Sequence, residues 1–230
     1  MRARLAEAAG AAGRDAADVE LLPVTKFFPV TDVAILAGLG CRSFGESREQ
    51  EAAVKAAQLT TLVATPVRWH MVGHIQRNKA RAVARWAYAA HSVDSTRLVA
   101  ALDRAVSAAL AAGERTEPLR IYVQISLDGD ASRGGVDVRR PELVDAVCAQ
   151  VAAADALILT GAMGIPPLAS DRQEAFMRLQ AEHRRIMRTH PTATGLSAGM
   201  SDDLEIAVKY GSTCVRVGTA LLGQRPLTSP

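Results

Sequence analysis

Cysteine is scarce in this 230-residue chain: Cys41, Cys148 and Cys214 lie far apart, without metal-ligand spacing. An odd, sparse set argues against a disulfide framework and suits a reducing compartment, so a cytoplasmic protein is expected. Neither sign of charge is in great excess, with 27 basic side chains against 24 acidic ones and a formal net charge of +3. That is too mild for nucleic acid or an anionic membrane to be the default partner. Anionic small molecules stay open, because binding them needs only local charge. No run approaches the ~20 apolar residues of a membrane span. The N-terminus, Met1-Arg2-Ala3-Arg4-Leu5 with Glu7 close behind, opens into an amphipathic helix and has no uninterrupted apolar stretch, so no signal peptide is expected. A phosphate loop and a nucleophilic serine elbow are missing too. With no linker or low-complexity tract, residues 1–230 are expected to form one soluble domain.

What the chain does contain is alternation. Short apolar, strand-like runs recur at residues 21–26, 42–46, 69–73, 88–93, 119–126, 156–164, 194–199 and 213–222. Between them lie Ala/Leu/Glu/Arg segments with helical spacing, such as Leu98, Leu102, Ala105 and Ala109, and the long stretch 172–190. Strands that alternate with helices are joined as parallel crossovers. Eight such units predict an α/β fold closed as a single (β/α)8 TIM barrel. The rival, an open doubly wound sheet, carries a glycine-rich loop after its first strand, whereas here that strand runs into Lys26-Phe27-Phe28-Pro29. Residues 114–118 and 128–135 read as loops around the fifth strand. Asp202-Asp203-Leu204-Glu205 reads as a capping box, with Asp202 as N-cap and Glu205 reaching back.

Barrel active sites lie at the C-terminal strand ends. Those ends offer Lys26, Glu46 with Ser47, His70 with Gly73, Asp94, Ser126, Met163 with Gly164, Ser197 through Met200 (including Gly199), and Arg216 through Thr219. Period-2 alternation puts Lys26 on the face of Leu22 and Val24. It is either a partly desolvated amine, nucleophilic toward an aldehyde, or a strand-end lysine reaching for solvent. Gly218 and Thr219 form either a phosphate cup, completed by Ser197 and Gly199, or a tight turn. Arg216, between Val215 and Val217, must find a carboxylate such as Glu46 or Asp94, or a ligand, or both. His70 and His74 are four apart on an expected strand, where that spacing spans ~13 Å and one metal cannot bridge them. Asp202-Asp203 is a helix start rather than a metal pair, so no metal is expected. Arg77, Lys79, Arg81 and Arg85 read as the solvated face of one helix.

Several longer motifs carry a resemblance. They are Leu22-Pro23-Val24-Thr25-Lys26, Phe44-Gly45-Glu46-Ser47-Arg48-Glu49-Gln50-Glu51, Trp69-His70-Met71-Val72-Gly73-His74 and His91-Ser92-Val93-Asp94. Leu196-Ser197-Ala198-Gly199-Met200-Ser201-Asp202-Asp203 and Val215-Arg216-Val217-Gly218-Thr219 complete the set. In order and over nearly the whole chain, it resembles the YggS/PROSC family of pyridoxal 5′-phosphate (PLP) homeostasis proteins. The resemblance implies a barrel like the alanine racemase N-terminal domain (fold type III), with PLP held as a Schiff base on Lys26. It also implies that Arg216 faces the pyridine nitrogen and that Ser197, Gly218 and Thr219 hold the phosphate. The implied role is a non-enzymatic, monomeric regulator of vitamin B6 pools, with PLP-dependent apoenzymes as recipients. Two positions depart from the family pattern: Ser47 replaces an asparagine, and Ala198 a larger apolar residue.

Carrier and enzyme readings can be weighed on the residues. Arg216 does not give up its proton, so a ring nitrogen facing it stays unprotonated and the electron sink is weakened. Racemization needs bases on both faces, and Lys26 is the one clear candidate, since Tyr88, Tyr122 and Tyr210 sit in no catalytic motif. A carrier is therefore expected, ahead of a weak amino-acid racemase and a cofactor-independent Schiff-base aldolase.

Overall fold

The computed structural model describes residues 1–167 and 170–224. Its strands are β1 (Glu20–Pro23), β2 (Ser43–Glu46), β3 (Arg68–Met71), β4 (Ala89–Val93), β5 (Leu119–Ser126), β6 (Val136–Asp137), β7 (Leu157–Gly164), β8 (Gly195–Ser197) and β9 (Cys214–Val217). Eight of them run in the hydrogen-bonded order β1-β9-β8-β7-β5-β4-β3-β2, and every pairing is parallel. Between β2 and β1 the seam is closed just past β1, by a parallel bridge from Val24 to Gly45 and by Thr25 N–H donating to the Gly45 carbonyl at 2.9 Å. The result is the expected barrel. The two-residue β6, which the sequence reading did not anticipate, pairs with the end of β5.

Helices cover the outside: α1 (Arg2–Ala11), α2 (Val30–Gly38), α3 (Glu49–Leu62), α4 (Ala80–Trp86), α5 (Thr96–Ala111), α6 (Pro141–Ala152), α7 (Arg172–Thr189), α8 (Leu204–Lys209) and α9 (Thr219–Leu222). Their apolar stripes explain them. α5 buries Leu98, Val99, Leu102, Val106 and Ala109 on one face, and α7 starts where Asp171 accepts from Glu174 N–H at 3.0 Å. The main core lies between these helices and the central strands. Among the described residues no helix is long and apolar enough to cross a membrane.

Three local expectations are corrected. The run 213–222 is a strand only to Val217; after the turn at Gly218 the apolar residues Leu221 and Leu222 form the single turn α9 and cover the barrel flank. Short apolar runs fit either element, and here packing decides. The capping box is shifted, since α8 begins at Leu204 behind Asp203, whose Oδ1 accepts from Met200 N–H at 2.6 Å. Glu205 reaches across to Arg4 of α1 at 2.5 Å instead of back along its own helix. The basic run is not one helix: Arg77–Lys79 is a separate 3-10 turn, Lys79 pairs with Glu49 at 3.3 Å, and Arg85 pairs with Glu114 at 2.9 Å.

Candidate functional site

Lys26 sits at the barrel seam. β1 ends at Pro23, and Val24 N–H still donates to the Val217 carbonyl at 2.8 Å, so the Lys26 segment leaves between the ends of β9 and β2. The backbone there is fixed from outside the barrel. Thr25 is fully buried and its hydroxyl donates to Glu46 Oε1 at 2.7 Å. The Lys55 ammonium, also buried, donates to the Thr25 carbonyl at 2.8 Å and pairs with Glu46 at 2.9 Å and Glu51 at 2.7 Å. Glu51 in turn accepts from Phe27 N–H at 2.9 Å. Phe27 has a left-handed backbone, φ 69°, rare for a residue with a side chain. The chain kinks there, three residues past the last bridge at Val24, and Lys26 is left half-buried, its ammonium 6.0 Å from the Phe27 ring centre. Burial pushes the Glu46 carboxyl above its usual range, and the attraction of Lys55 offsets only part of that.

On one side of Lys26 lies the end of β9. A Cβ added to Gly218 would touch the Val24 carbonyl at 3.5 Å, so this turn passes in van der Waals contact with the Lys26 segment. Thr219 is exposed at its start, and Ser201 Oγ accepts from Ala220 N–H at 3.4 Å. Gly199, at φ 89°, offers its carbonyl to Arg216 N–H at 2.9 Å, and an added Cβ would come within 2.4 Å of the Ala207 Cβ. Met200 is exposed beside it. Hydroxyls, turn amides and glycine clearance gather here, a donor set suited to a phosphate.

On the other side lies Ser47, half-buried at the end of β2. Gly73 passes so close that a Cβ there would fall 2.1 Å from the Ser47 carbonyl oxygen. Ser47 lines a cavity of about 1030 Å³ shared with Phe27, Phe28, Met71 and His74, away from Arg216.

Inside the barrel, Arg216 is buried and finds neither of the carboxylates expected for it. Asp94 accepts from Gly135 N–H at 3.1 Å, and Glu46 is taken up by Lys55. The guanidinium donates to Ser197 Oγ at 2.6 Å and to the Gly164 carbonyl at 3.1 Å. Burial lowers its pKa, although an arginine this basic stays protonated. Ser197 is thus joined to Arg216 within the interior, while Ser201 is the serine that bonds the turn after Gly218. Ser197 also contacts His91 Nδ1 at 2.8 Å, and His91 Nε2 meets His70 Nδ1 at 2.9 Å. Tyr122 stacks on His91 with ring centres 4.3 Å apart. Burial holds both imidazoles below their ordinary pKa. The sequence reading named His70 and quoted His91 within a motif but did not pair them, and it gave Ser201 no role. The available signal was a histidine set among apolar strand neighbours, His70 between Trp69 and Met71 and His91 after Ala89 and Ala90.

Residues 1–226 match the family described as alanine racemase, N-terminal domain. The chain is 65% identical over 237 aligned residues, covering 100% of itself and 92% of its relative, to the pyridoxal phosphate homeostasis protein of Mycobacterium tuberculosis. The chain belongs to the pyridoxal phosphate homeostasis family. Another relative of that name, from Corynebacterium glutamicum, is 42% identical, covering 99% of this chain and 100% of its own. The solved structure of PipY from Synechococcus elongatus with PLP bound superposes at a TM-score of 0.79 and 33% identity, covering 95% of this chain and 100% of that one. Among the described residues of this family member, no group of three or more His, Cys, Asp or Glu side chains is arranged to hold a metal ion.

Proposed function

We propose that this protein holds PLP as a Schiff base on Lys26 and serves PLP homeostasis as a carrier or regulator, without a dedicated reaction of its own. One observation carries the reading: the 65% identity, end to end, with proteins named for pyridoxal phosphate homeostasis. The PLP-bound PipY structure supports the choice of cofactor.

The residues at the seam fit such a ligand. Lys26 supplies the amine, on a segment clamped by Lys55, Glu46 and Glu51 so that little ordering remains to be done on binding. Gly218 and Thr219, with Gly199 and Met200 beside them, form the phosphate side, Ser201 adds a hydroxyl, and Ser197 joins them from the interior beside Arg216. Arg216 faces the ring nitrogen, and Ser47 flanks the opposite edge. Bound, PLP supplies an aldehyde for the lysine and a ring able to act as an electron sink. Arg216 keeps its own proton, so the ring nitrogen beside it stays unprotonated and that sink is weak. A weak sink suits storage and delivery better than carbanion chemistry. In this reading residues 1–230 form one PLP-binding barrel that acts as a cytoplasmic monomer, and PLP-dependent apoenzymes receive the cofactor.

The test is the visible absorbance of the purified protein, before and after borohydride, beside Lys26→Ala. A yellow band removed by borohydride, with the label fixed on Lys26, is expected. A protein that stays colourless with added PLP refutes the site. Isotope exchange at the α-carbon of alanine, lost in Lys26→Ala, would replace the carrier reading with a racemase.

A further inference from the structure

Arg216 is a buried cation, and among the described residues no carboxylate is in hydrogen-bonding contact with it. Its charge is met instead by neutral dipoles, which works only if their negative ends point at it. Arginine has no acceptor, so Nη1 must donate to Ser197 Oγ. The Ser197 proton is then best placed away from the guanidinium, toward His91 Nδ1 at 2.8 Å. His91 Nδ1 in that case carries no hydrogen, and its Nε2–H donates to His70 Nδ1 at 2.9 Å. The opposite order, with His91 Nδ1–H donating to Ser197, would turn positive dipole ends toward the cation.

We infer that His91 is a positioning residue: as the neutral Nε2–H tautomer it accepts the Ser197 proton and aims the Ser197 lone pairs at Arg216, fixing the guanidinium against the cofactor ring. This rests on the cofactor reading above. His91 acts through Ser197, its hydrogen-bond partner at 2.8 Å. Burial disfavours its charged form, as do neighbouring His70 and Arg216, in keeping with a neutral acceptor.

Two measurements decide it. In 15N imidazole NMR of the cofactor-free wild-type protein, His91 is expected to be neutral with hydrogen on Nε2 between pH 6 and 8. An Nδ1–H tautomer or an imidazolium overturns the inference. The second compares His91→Asn with His91→Gln, because the asparagine carboxamide oxygen can occupy the place of Nδ1 and that of glutamine reaches toward Nε2. His91→Asn should keep near-native PLP affinity and the native absorbance–pH profile. His91→Gln should bind PLP about tenfold more weakly, the worth of one hydrogen bond, with a displaced absorbance maximum. Equal behaviour of the two variants, whether both intact or both impaired, overturns the positioning role. Wild-type protein that takes up no PLP refutes the Lys26 reading instead, and the NMR result then still decides how Arg216 is held.

Discussion

Acid should unfold this protein through its barrel interior. His70 and His91 are buried side by side, and burial lowers both pKa values below the ordinary value of about 6.5. The other charged groups acting on the pair do not reverse this: Glu20 raises the His70 pKa, while Arg68, Arg120 and Arg216 oppose protonation of one ring or the other. A depressed folded-state pKa means that the unfolded chain takes up protons the folded one refuses. The stability is present above pH 6.5 and is lost as pH falls from there toward the folded-state values. Each imidazole kept neutral costs the folded state roughly 1.4 kcal/mol per pH unit in that window. At pH 5 that amounts to about 2 kcal/mol for one histidine, a large part of a typical folding free energy. His183, also lowered mainly by burial, adds in the same direction. The raised carboxyl of Glu46 works the other way, because its folded form takes up a proton earlier than the unfolded chain does. Urea unfolding of wild type and His91→Asn, run in parallel from pH 7.5 to 5.0, reads the histidine pair through one ring, since groups away from His91 cancel in the difference. The wild-type advantage should shrink over that range, by up to about 2 kcal/mol, the full cost of keeping one ring neutral down to pH 5. Parallel stability curves for the two proteins would refute the argument, because His91 would then titrate alike folded and unfolded.

The other predictions concern the seam. Lys55→Met should destabilise the fold by about 3 kcal/mol in chemical denaturation, since it strands the buried Glu46 carboxylate and releases the Thr25 carbonyl; Lys55→Met with Glu46→Gln should recover part of the loss, and no recovery would show that the pair is not the cause. Gly199→Ala should cost more than about 2 kcal/mol, because it combines a left-handed φ with a 2.4 Å approach to Ala207; a melting temperature within two degrees of wild type would contradict the geometry. Phe27→Gly should relieve backbone strain of about 1 kcal/mol and lose side-chain packing of similar size; unfolding free energy near the wild-type value is expected, and a loss above about 3 kcal/mol would mean that the ring, not the backbone, shapes the turn.

Much of the barrel was legible because its signals are local. Eight apolar runs at regular spacing, separated by amphipathic segments, leave a closed parallel sheet as the natural way to bury every strand, and the β5 limits Leu119–Ser126 match the expected run 119–126. Strand ends were less legible. Nothing in Lys26-Phe27-Phe28 announces a left-handed residue, and Ala220-Leu221-Leu222 fits a strand until the barrel flank claims it as a helical turn. Ser201 was hidden for a related reason: its hydroxyl gains meaning only when α9 turns back onto it.

By itself the sequence determined the alternating architecture and supplied, in Lys26, Gly218 and Thr219, the residue chemistry on which the proposed PLP site rests. Short-range periodicity and residue chemistry suffice for that. Only the tertiary structure decided what Arg216 rests on. Arg216, Ser197, His91 and His70 are 19, 106 and 21 residues apart along the successive links that join them. Closure of the barrel brings them into one line, and no pattern along the chain encodes a contact made across its interior.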